Sequence, residues 1–205
     1  MLALDTGVGV SACLLLANGA VASVSLATSR AHSKVLLPML QGLLDKQGLA
    51  WQDIQSFAVG VGPGSFTALR VACATIAGIN ASLQKPVFRL ASLEITANQT
   101  DTEEAFWVIE DARSGLVYVA EFAAGQCITE AQCLPWQDFL NLKPAAYLTL
   151  SDAPVDMQGA FALPVQYSRE QALAKVAQAI SISDPSALWV EPLYLQASQA
   201  EKNLA

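Results

Sequence analysis

The longest uncharged stretch of the chain, residues 6–29, limits what this sequence can fold into. It is long enough to cross a bilayer as a helix. However, Asn18-Gly19 lies at its centre, and this dipeptide is typical of a two-residue β-hairpin turn. We therefore predict two paired strands, at 8–16 and 20–26, and we expect no membrane segment. With a short apolar strand at 2–4, they would open the chain as a β-meander.

Length and composition predict a folded chain that forms one large domain or two small lobes. The chain has 205 residues, of which 53% are hydrophobic and 14% are charged, and this balance argues against disorder. The net charge is −7, and the 11 basic residues are scattered. A protein that binds nucleic acid alone neutralises phosphates with clustered Lys and Arg, so we do not expect that function. A subunit that serves a nucleic-acid enzyme through another chain is compatible with this composition.

Cysteine and histidine usage argues against a zinc site and indicates a reducing compartment. The four cysteines form no CxxC pair, and His32 is the single histidine, so zinc-ligand spacing is absent and no metal is expected. The first residues include no basic segment before Asp5, unlike a secretory signal peptide. We therefore expect reduced thiols and a cytoplasmic location.

Two helices and a glycine-rich loop are predicted in the first half of the chain. An apolar pattern with Pro38 in its first turn predicts a helix from about residue 35 to 44. A buried strand at 56–59 then leads into a loop at 60–65 and a helix at 66–83. No charge occurs between Arg70 and Lys85, and small residues occupy one face of this helix. Such a helix is buried on both sides, either within the fold or by a partner.

A second strand–turn–strand pattern begins near residue 105 and predicts a second lobe. Strands at 105–109 and 116–122 flank a turn that contains Asp111, as Asp5 follows the first strand. We therefore divide the chain into an N-terminal lobe, 1–100, which carries the partner interface, and a smaller C-terminal lobe, 101–205. Residues 123–167 read as irregular. A capping box at 168–171 predicts a helix to about Ile180, and a short strand is expected at 193–195.

Two loops could bind an anion. Asp5-Thr6-Gly7 is compatible with an aspartic protease, which would need a second carboxylate from a dimer. It also fits the phosphate loop of an actin-like ATPase, or a plain hairpin turn. The loop at 60–65 precedes a helix N-terminus, which favours anions, but it lacks the Lys of a Walker A motif and could be a tight turn. The candidate nucleotide or anion-binding residues are Asp5, Thr6, Gly62, Gly64 and Ser65. His32 could be a general base, or it could cap a helix.

Six motifs, taken in order, resemble one protein family. They are LALDT at 2–6, AHSKVLLPML at 31–40, GVGPGSFTALR at 60–70, ASLE at 91–94, DARSGLVY at 111–118 and EPLYL at 191–195. This pattern is similar to the bacterial TsaB (YeaZ) family, a group once classed as M22 glycopeptidase homologues. The resemblance covers residues 1–122 and the short motif near the end. Ala68 departs from the family pattern, in which glycine is usual.

The resemblance implies an α/β, two-lobed actin/Hsp70-like fold of the ribonuclease H-like type, with a reduced second lobe. It implies a non-catalytic scaffold that binds TsaD and supports threonylcarbamoyl transfer to the adenosine beside the tRNA anticodon. TsaE would join a ternary complex, tRNA would be contacted only indirectly, and the chain alone would form a homodimer. The alternative is an M22-like peptidase or an actin-like nucleotide hydrolase acting alone.

The resemblance also assigns residues. Two metal-binding histidines of TsaD correspond here to Ser92 and Thr96, so no catalytic residue, metal or cofactor is expected. The apolar and small faces of the two helices are what a helix-packing interface needs. The predicted contact residues are His32, Val35, Leu36, Met39, Leu43, Arg70, Ala74, Ala77 and Ala81.

Overall fold

Two β-sheets organise the computed structural model, which describes residues 1–27, 32–150, 157, 159–180 and 186–196. The first sheet contains β1 (Leu2–Asp5), β2 (Val10–Leu15), β3 (Val21–Leu26), β4 (Phe57–Gly62), β5 (Val87–Ala91) and β11 (Ser186–Ala187). The second contains β6 (Phe106–Arg113), β7 (Leu116–Ala123), β8 (Gln126–Pro135), β9 (Ala146–Thr149) and β10 (Phe161–Ala162). The helices are α1 (His32–Lys46), α2 (Phe66–Leu83), α3 (Ser92–Ala97), α4 (Trp136–Leu140) and α5 (Arg169–Gln178).

The predicted β-meander is confirmed, and its strands β2 and β3 lie within the uncharged stretch 6–29. Strands β1, β2 and β3 pair antiparallel in sequence. Gly19 has a φ of 81°, and the Asn18 side chain accepts a hydrogen bond from the Ala20 N–H at 3.0 Å, so the predicted dipeptide forms the turn. Among the described residues, only α2 is long and apolar enough to cross a membrane, a test that core helices also pass.

Helices cover both faces of the first sheet, whose strand order is β11-β5-β4-β1-β2-β3. Helices α1 and α2 pack with the side chains of Leu2, Leu4 and Phe57 in one core on one face. On the other face, α5 packs against Ala3 and Cys13. The parallel pair β4–β5 is connected through α2, whereas the chain runs from β1 to its parallel neighbour β4 through β2, β3 and α1. The structure thus builds a layered α/β lobe from the first hundred residues plus α5 and β11.

The second sheet has the order β10-β9-β6-β7-β8 and carries its own cores. The expectation that 123–167 is irregular is wrong for β8, β9, β10 and α4. Pro135 is compatible with β8 because it ends the strand and directly precedes α4. The short α4 gives this lobe little helical cover. The two-lobed, actin-like α/β architecture expected from the resemblance is confirmed, with the second lobe reduced.

The end of the chain differs from the prediction. The helix opened by Ser168 is confirmed as α5, and Ser168 and Gln171 form both hydrogen bonds of the capping box. The strand expected at 193–195 is not formed. Instead, residues 188–196, here called the C-terminal strap, run without regular secondary structure from the first sheet toward the second. The proposed division at residue 100 separates most of the two sheets, but α5 and β11 come from the second half and pack on the first sheet.

Candidate functional site

The two loops singled out from the sequence lie against each other at the end of β1. A Cβ atom placed on Gly64 would lie 3.1 Å from the Cα atom of Gly7, so the two backbones are in contact. A side chain at position 64 would force the Gly7 backbone to move by a few tenths of an ångström, and glycine avoids this shift. The predicted residues Asp5, Thr6 and Gly64 are therefore brought together. Ser65 is the N-cap of α2, and its exposed side chain forms no capping hydrogen bond.

Asp5, at the end of β1, is fully buried and its carboxylate is satisfied within the chain. Arg169 donates to Asp5 Oδ2 through Nη2 at 2.7 Å and through Nε at 2.9 Å. Ser92 Oγ donates to Asp5 Oδ1 at 2.7 Å, and the Gly7 N–H donates to Oδ2 at 3.2 Å. The buried carboxylate therefore accepts hydrogen bonds from a guanidinium and from two further donors of the same chain.

Arg169 is the first residue of α5, and its guanidinium reaches into the same region from the opposite half of the chain. Besides Asp5, it donates through Nη1 to Thr96 Oγ1 at 2.9 Å and to Gln99 Oε1 at 3.4 Å. Its Nη2 also donates to the Ser92 carbonyl at 3.3 Å. The guanidinium is therefore committed on several sides to acceptors of this chain.

Glu110 on β6 connects this arrangement to the second sheet. It accepts a hydrogen bond from Thr96 Oγ1 at 3.2 Å. Burial raises the pKa of Glu110 to about 7, with Asp5 and Asp111 adding to the rise, whereas Arg169 and the Thr96 hydrogen bond lower it. We call the connected set the buried polar cluster: Asp5, Ser92, Thr96, Gln99, Glu110 and Arg169.

The chemistry of this cluster does not fit a metal or a phosphate. The hydroxyls of Ser92 and Thr96 stand where the resemblance places two histidine ligands, and both are used in hydrogen bonds to carboxylates of the cluster. A cation placed there would meet the Arg169 guanidinium, and a phosphate would meet the buried Asp5 carboxylate. Thr6 Oγ1 is the one buried side-chain oxygen without a hydrogen-bond partner in the described part of the chain.

The predicted partner-contact residues divide into exposed and buried groups. Leu36 and Leu43 are buried in the core between α1, α2 and the first sheet, so they cannot reach a partner. Val35, Met39 and Ala77 are half-buried, while Arg70, Ala74 and Ala81 are exposed. The side chain of His32 lies outside the described residues. Leu37, which the sequence reading did not select, is 48% exposed on α1. The helical repeat explains this correction, since the apolar arc of α1 is wider than its core-facing stripe.

Sequence reasoning missed Arg169, Gln99 and the role of Glu110. In the sequence, Arg169 is recognisable only as part of the capping box at 168–171, and Glu110 adjoins Asp111, which points to the other face of β6. The sequence predicts a strand only to residue 109 and a turn after it, whereas β6 continues to Arg113, so Glu110 lies inside the strand and its charge is buried.

Comparisons with known proteins agree on one family. The family described as "TsaD: tRNA N6-adenosine threonylcarbamoyltransferase" matches residues 24–164. The Haemophilus influenzae tRNA threonylcarbamoyladenosine biosynthesis protein TsaB is 29% identical, over 100% of this chain and 96% of that protein. An uncharacterized Mycobacterium tuberculosis protein is 30% identical over 84% of this chain and 79% of its own length.

Solved structures agree with these sequence relatives. A Pseudomonas aeruginosa protein described as similar to the peptidase YeaZ has a TM-score of 0.73 and 28% identity, covering 95% of this chain and 98% of that one. A structure of YeaZ from Pseudomonas aeruginosa has a TM-score of 0.68 and 25% identity, covering 86% of this chain and 89% of that one.

Proposed function

Because the chain belongs to the TsaD family and, within it, to the TsaB/YeaZ group, it has a role in tRNA threonylcarbamoyladenosine biosynthesis, and we propose that it acts there as a non-catalytic subunit that binds a TsaD-type transferase. The proposed complex also includes TsaE, and tRNA is contacted through the partner rather than by this chain. The net charge of −7 and the scattered positions of the 11 basic residues support an indirect contact with tRNA, because a protein that binds nucleic acid alone neutralises phosphates with clustered Lys and Arg.

The buried polar cluster is the observation that carries the non-catalytic part of the proposal. In an actin-like enzyme, the aspartate after the first strand would face a phosphate and its metal. Here the Asp5 carboxylate faces Arg169 of the same chain at 2.7 Å, and neither residue is exposed. A peptidase or a nucleotide hydrolase would need this carboxylate to reach its substrate. The arrangement therefore supports a structural ion pair in place of a catalytic site.

The outer face of α1 and α2 supports the partner-binding part of the proposal. Arg70 is the only charged residue of α2, and most of the exposed side chains that follow it are small. Small side chains let a second helix approach closely, and depletion of charge is typical of an interface core. The proposed contact residues on the two helices are Val35, Leu37, Met39, Arg70, Ala74, Ala77 and Ala81. Without the transferase, the same face would pair with its copy in a homodimer, because an isologous contact needs only one self-complementary patch.

The test is binding to the TsaD-type transferase of the same organism, measured by size-exclusion chromatography and calorimetry. We expect the wild type to form a mixed complex and Ala77→Glu to weaken it by at least about 10-fold, because the new carboxylate would be buried without a partner. Ala74→Glu places the same charge at an exposed position, so it tests the face even if Ala77→Glu fails to fold.

The matched control is Ala179→Glu, an exposed alanine at the end of α5 on the opposite side of the first sheet. It should bind like the wild type. No complex with the wild type, with or without TsaE and ATP, would refute the proposed function. Hydrolysis of ATP or of a test protein by the chain alone, lost in Asp5→Asn, would support the enzyme alternatives instead.

A further inference from the structure

Strand β3 forms one outer edge of the first sheet and pairs on one side only, with β2. At the turn before it, the Leu16 N–H donates to the Ala20 carbonyl at 2.9 Å, so the backbone of residue 20 faces β2. The direction of the hydrogen bonds alternates along an antiparallel strand, so the backbone groups of Val21, Ser23 and Ser25 face away from the sheet. In the described part of the chain, no backbone group pairs with this outward row.

The other three sheet edges that the structure describes are protected against pairing, and β3 is not. Strands β10 and β11 have two residues each. Strand β8 carries Glu130, ends at Pro135 and pairs with β7 through two shifts of register. Short length, charge, proline and bulges are the features by which native sheets prevent edge-to-edge contact. Strand β3 has six residues in continuous register with β2, without a charge, a proline or a shift.

The outward row of β3 is complementary to itself. When two copies align antiparallel with Ser23 opposite Ser23 of the second copy, Val21 lies opposite Ser25 at both ends. Residues of the outward row then exchange both N–H···O bonds in each pair, which gives about six hydrogen bonds between the chains. The intervening pairs join Ala22 to Val24. All these side chains are small and uncharged, so they fit the short distances between directly opposite residues.

The distribution of charge favours a second copy at this edge. The chain has a net charge of −7, so two copies repel each other on average, but the stretch 6–29, which contains β2 and β3, carries no charge. Like charges directly opposite each other would destabilise a strand pair, and this edge has none. Val21 and Leu26, each 42% exposed, would be covered by the contact.

We propose that β3 is a self-pairing edge, through which two copies of this chain join their six-stranded first sheets into one continuous sheet across a two-fold axis. This inference goes beyond the proposed function and does not depend on it. The contact lies in the plane of the sheet, so the outer face of α1 and α2 stays open in both copies. Because a single strand pair is a small interface, we expect a weak dimer with a dissociation constant in the micromolar range.

The experiment measures association of the chain alone by analytical ultracentrifugation, with Ala74→Glu in every variant to block pairing through the outer face of α1 and α2. The Ala74→Glu chain should dimerise. Adding Val21→Lys and Ser25→Lys places like charges opposite each other and should weaken association by at least about 10-fold. Adding Val21→Lys and Ser25→Glu instead makes both pairs complementary, so the dimer should be retained, and salt should reduce the difference between the two variants.

A second variant tests the backbone pairing directly. Ser23→Pro removes the donor at the centre of the proposed contact and leaves the hydrogen bonds to β2 in place, because the Ser23 N–H faces outward. The dimer should be lost. The matched control carries Ile128→Lys and Gln132→Lys, two exposed positions with the same spacing on β8, and should associate like the Ala74→Glu chain.

All variants should keep the circular dichroism spectrum of the wild type, which separates loss of pairing from loss of folding. A monomeric Ala74→Glu chain, equal association of the two charged β3 variants, or a dimer that persists in Ser23→Pro would each overturn this inference. The proposed function would stand in any of these cases if the wild type binds the transferase. Conversely, failure to bind the transferase would leave a β3 dimer intact.

Discussion

Removal of the Arg169 guanidinium is the sharpest test of the buried polar cluster. Arg169→Met retains an unbranched apolar chain but leaves the Asp5 carboxylate buried with only the Ser92 hydroxyl and the Gly7 N–H as donors. Loss of one partner of a buried ion pair costs about 3–5 kcal/mol of unfolding free energy, because the remaining charge stays desolvated. For a chain of this size, that corresponds to a fall of about 6–20 °C in the thermal midpoint.

The assay is urea unfolding of Arg169→Met, Asp5→Asn and the double variant at neutral pH, followed by circular dichroism. Arg89→Met, at an exposed position on β5, is the control and should change stability by less than about 0.5 kcal/mol. If Asp5 and Arg169 act as a pair, the loss of unfolding free energy in the double variant should be smaller than the sum of the two single losses by about 2 kcal/mol or more. Loss of less than about 1 kcal/mol in Arg169→Met, or strict additivity, would refute the reasoning.

Three further predictions follow from the same coordinates. Burial raises the pKa of Glu110 to about 7 from 4.5, so the folded state binds more protons than the unfolded state between these pH values, and the unfolding free energy should fall as the pH rises from about 5 to 8. Glu110→Gln should abolish this pH dependence, and an unchanged slope of unfolding free energy against pH would contradict the prediction. Gly64→Ala should lower the unfolding free energy by about 1–3 kcal/mol, because the new methyl group would press on the Asp5–Gly7 turn. Gly78→Ala, which has open space around its Cβ, should leave the unfolding free energy unchanged or raise it by up to about 1 kcal/mol, and equal effects of the two variants in urea unfolding would argue against the close approach of Gly64 and Gly7. The exposed Cys127 thiol should react with a disulfide reagent before unfolding, and Cys13, whose pKa burial raises to about 12, only after it; simultaneous labelling would contradict the placement of the two thiols.

The buried polar cluster stabilises the lobe that carries the proposed contact face of α1 and α2. The cluster joins β1, α3, α5 and β6 through charged hydrogen bonds, which hold the two sheets in one arrangement. The outer face of α1 and α2 lies on the other side of the first sheet from α5. A subunit built in this way presents a rigid helix face, and rigidity reduces the entropy lost on association.

The sequence by itself determined the local features of this protein. Asn18-Gly19 identified the hairpin of β2 and β3, the capping box at 168–171 identified the start of α5, and the order of six motifs identified the family. Each of these signals lies within a few adjacent residues or in the linear order of the chain. Turn chemistry and helix capping depend on neighbouring backbone groups, so they can be read without knowledge of the fold.

Tertiary structure alone decided which side chains meet and which remain exposed. Asp5 and Arg169 are 164 positions apart, and Arg70 and Tyr194 are 124 apart, so no local pattern connects them. The same applies to α1, where Leu36 and Leu37 are neighbours in sequence but only Leu36 enters the core. Hydrophobicity is a property of each residue, whereas burial and ion pairing depend on the packing of distant elements. This packing places Arg169 against Asp5, so the turn that resembles a phosphate loop in the sequence holds a structural ion pair in the folded chain.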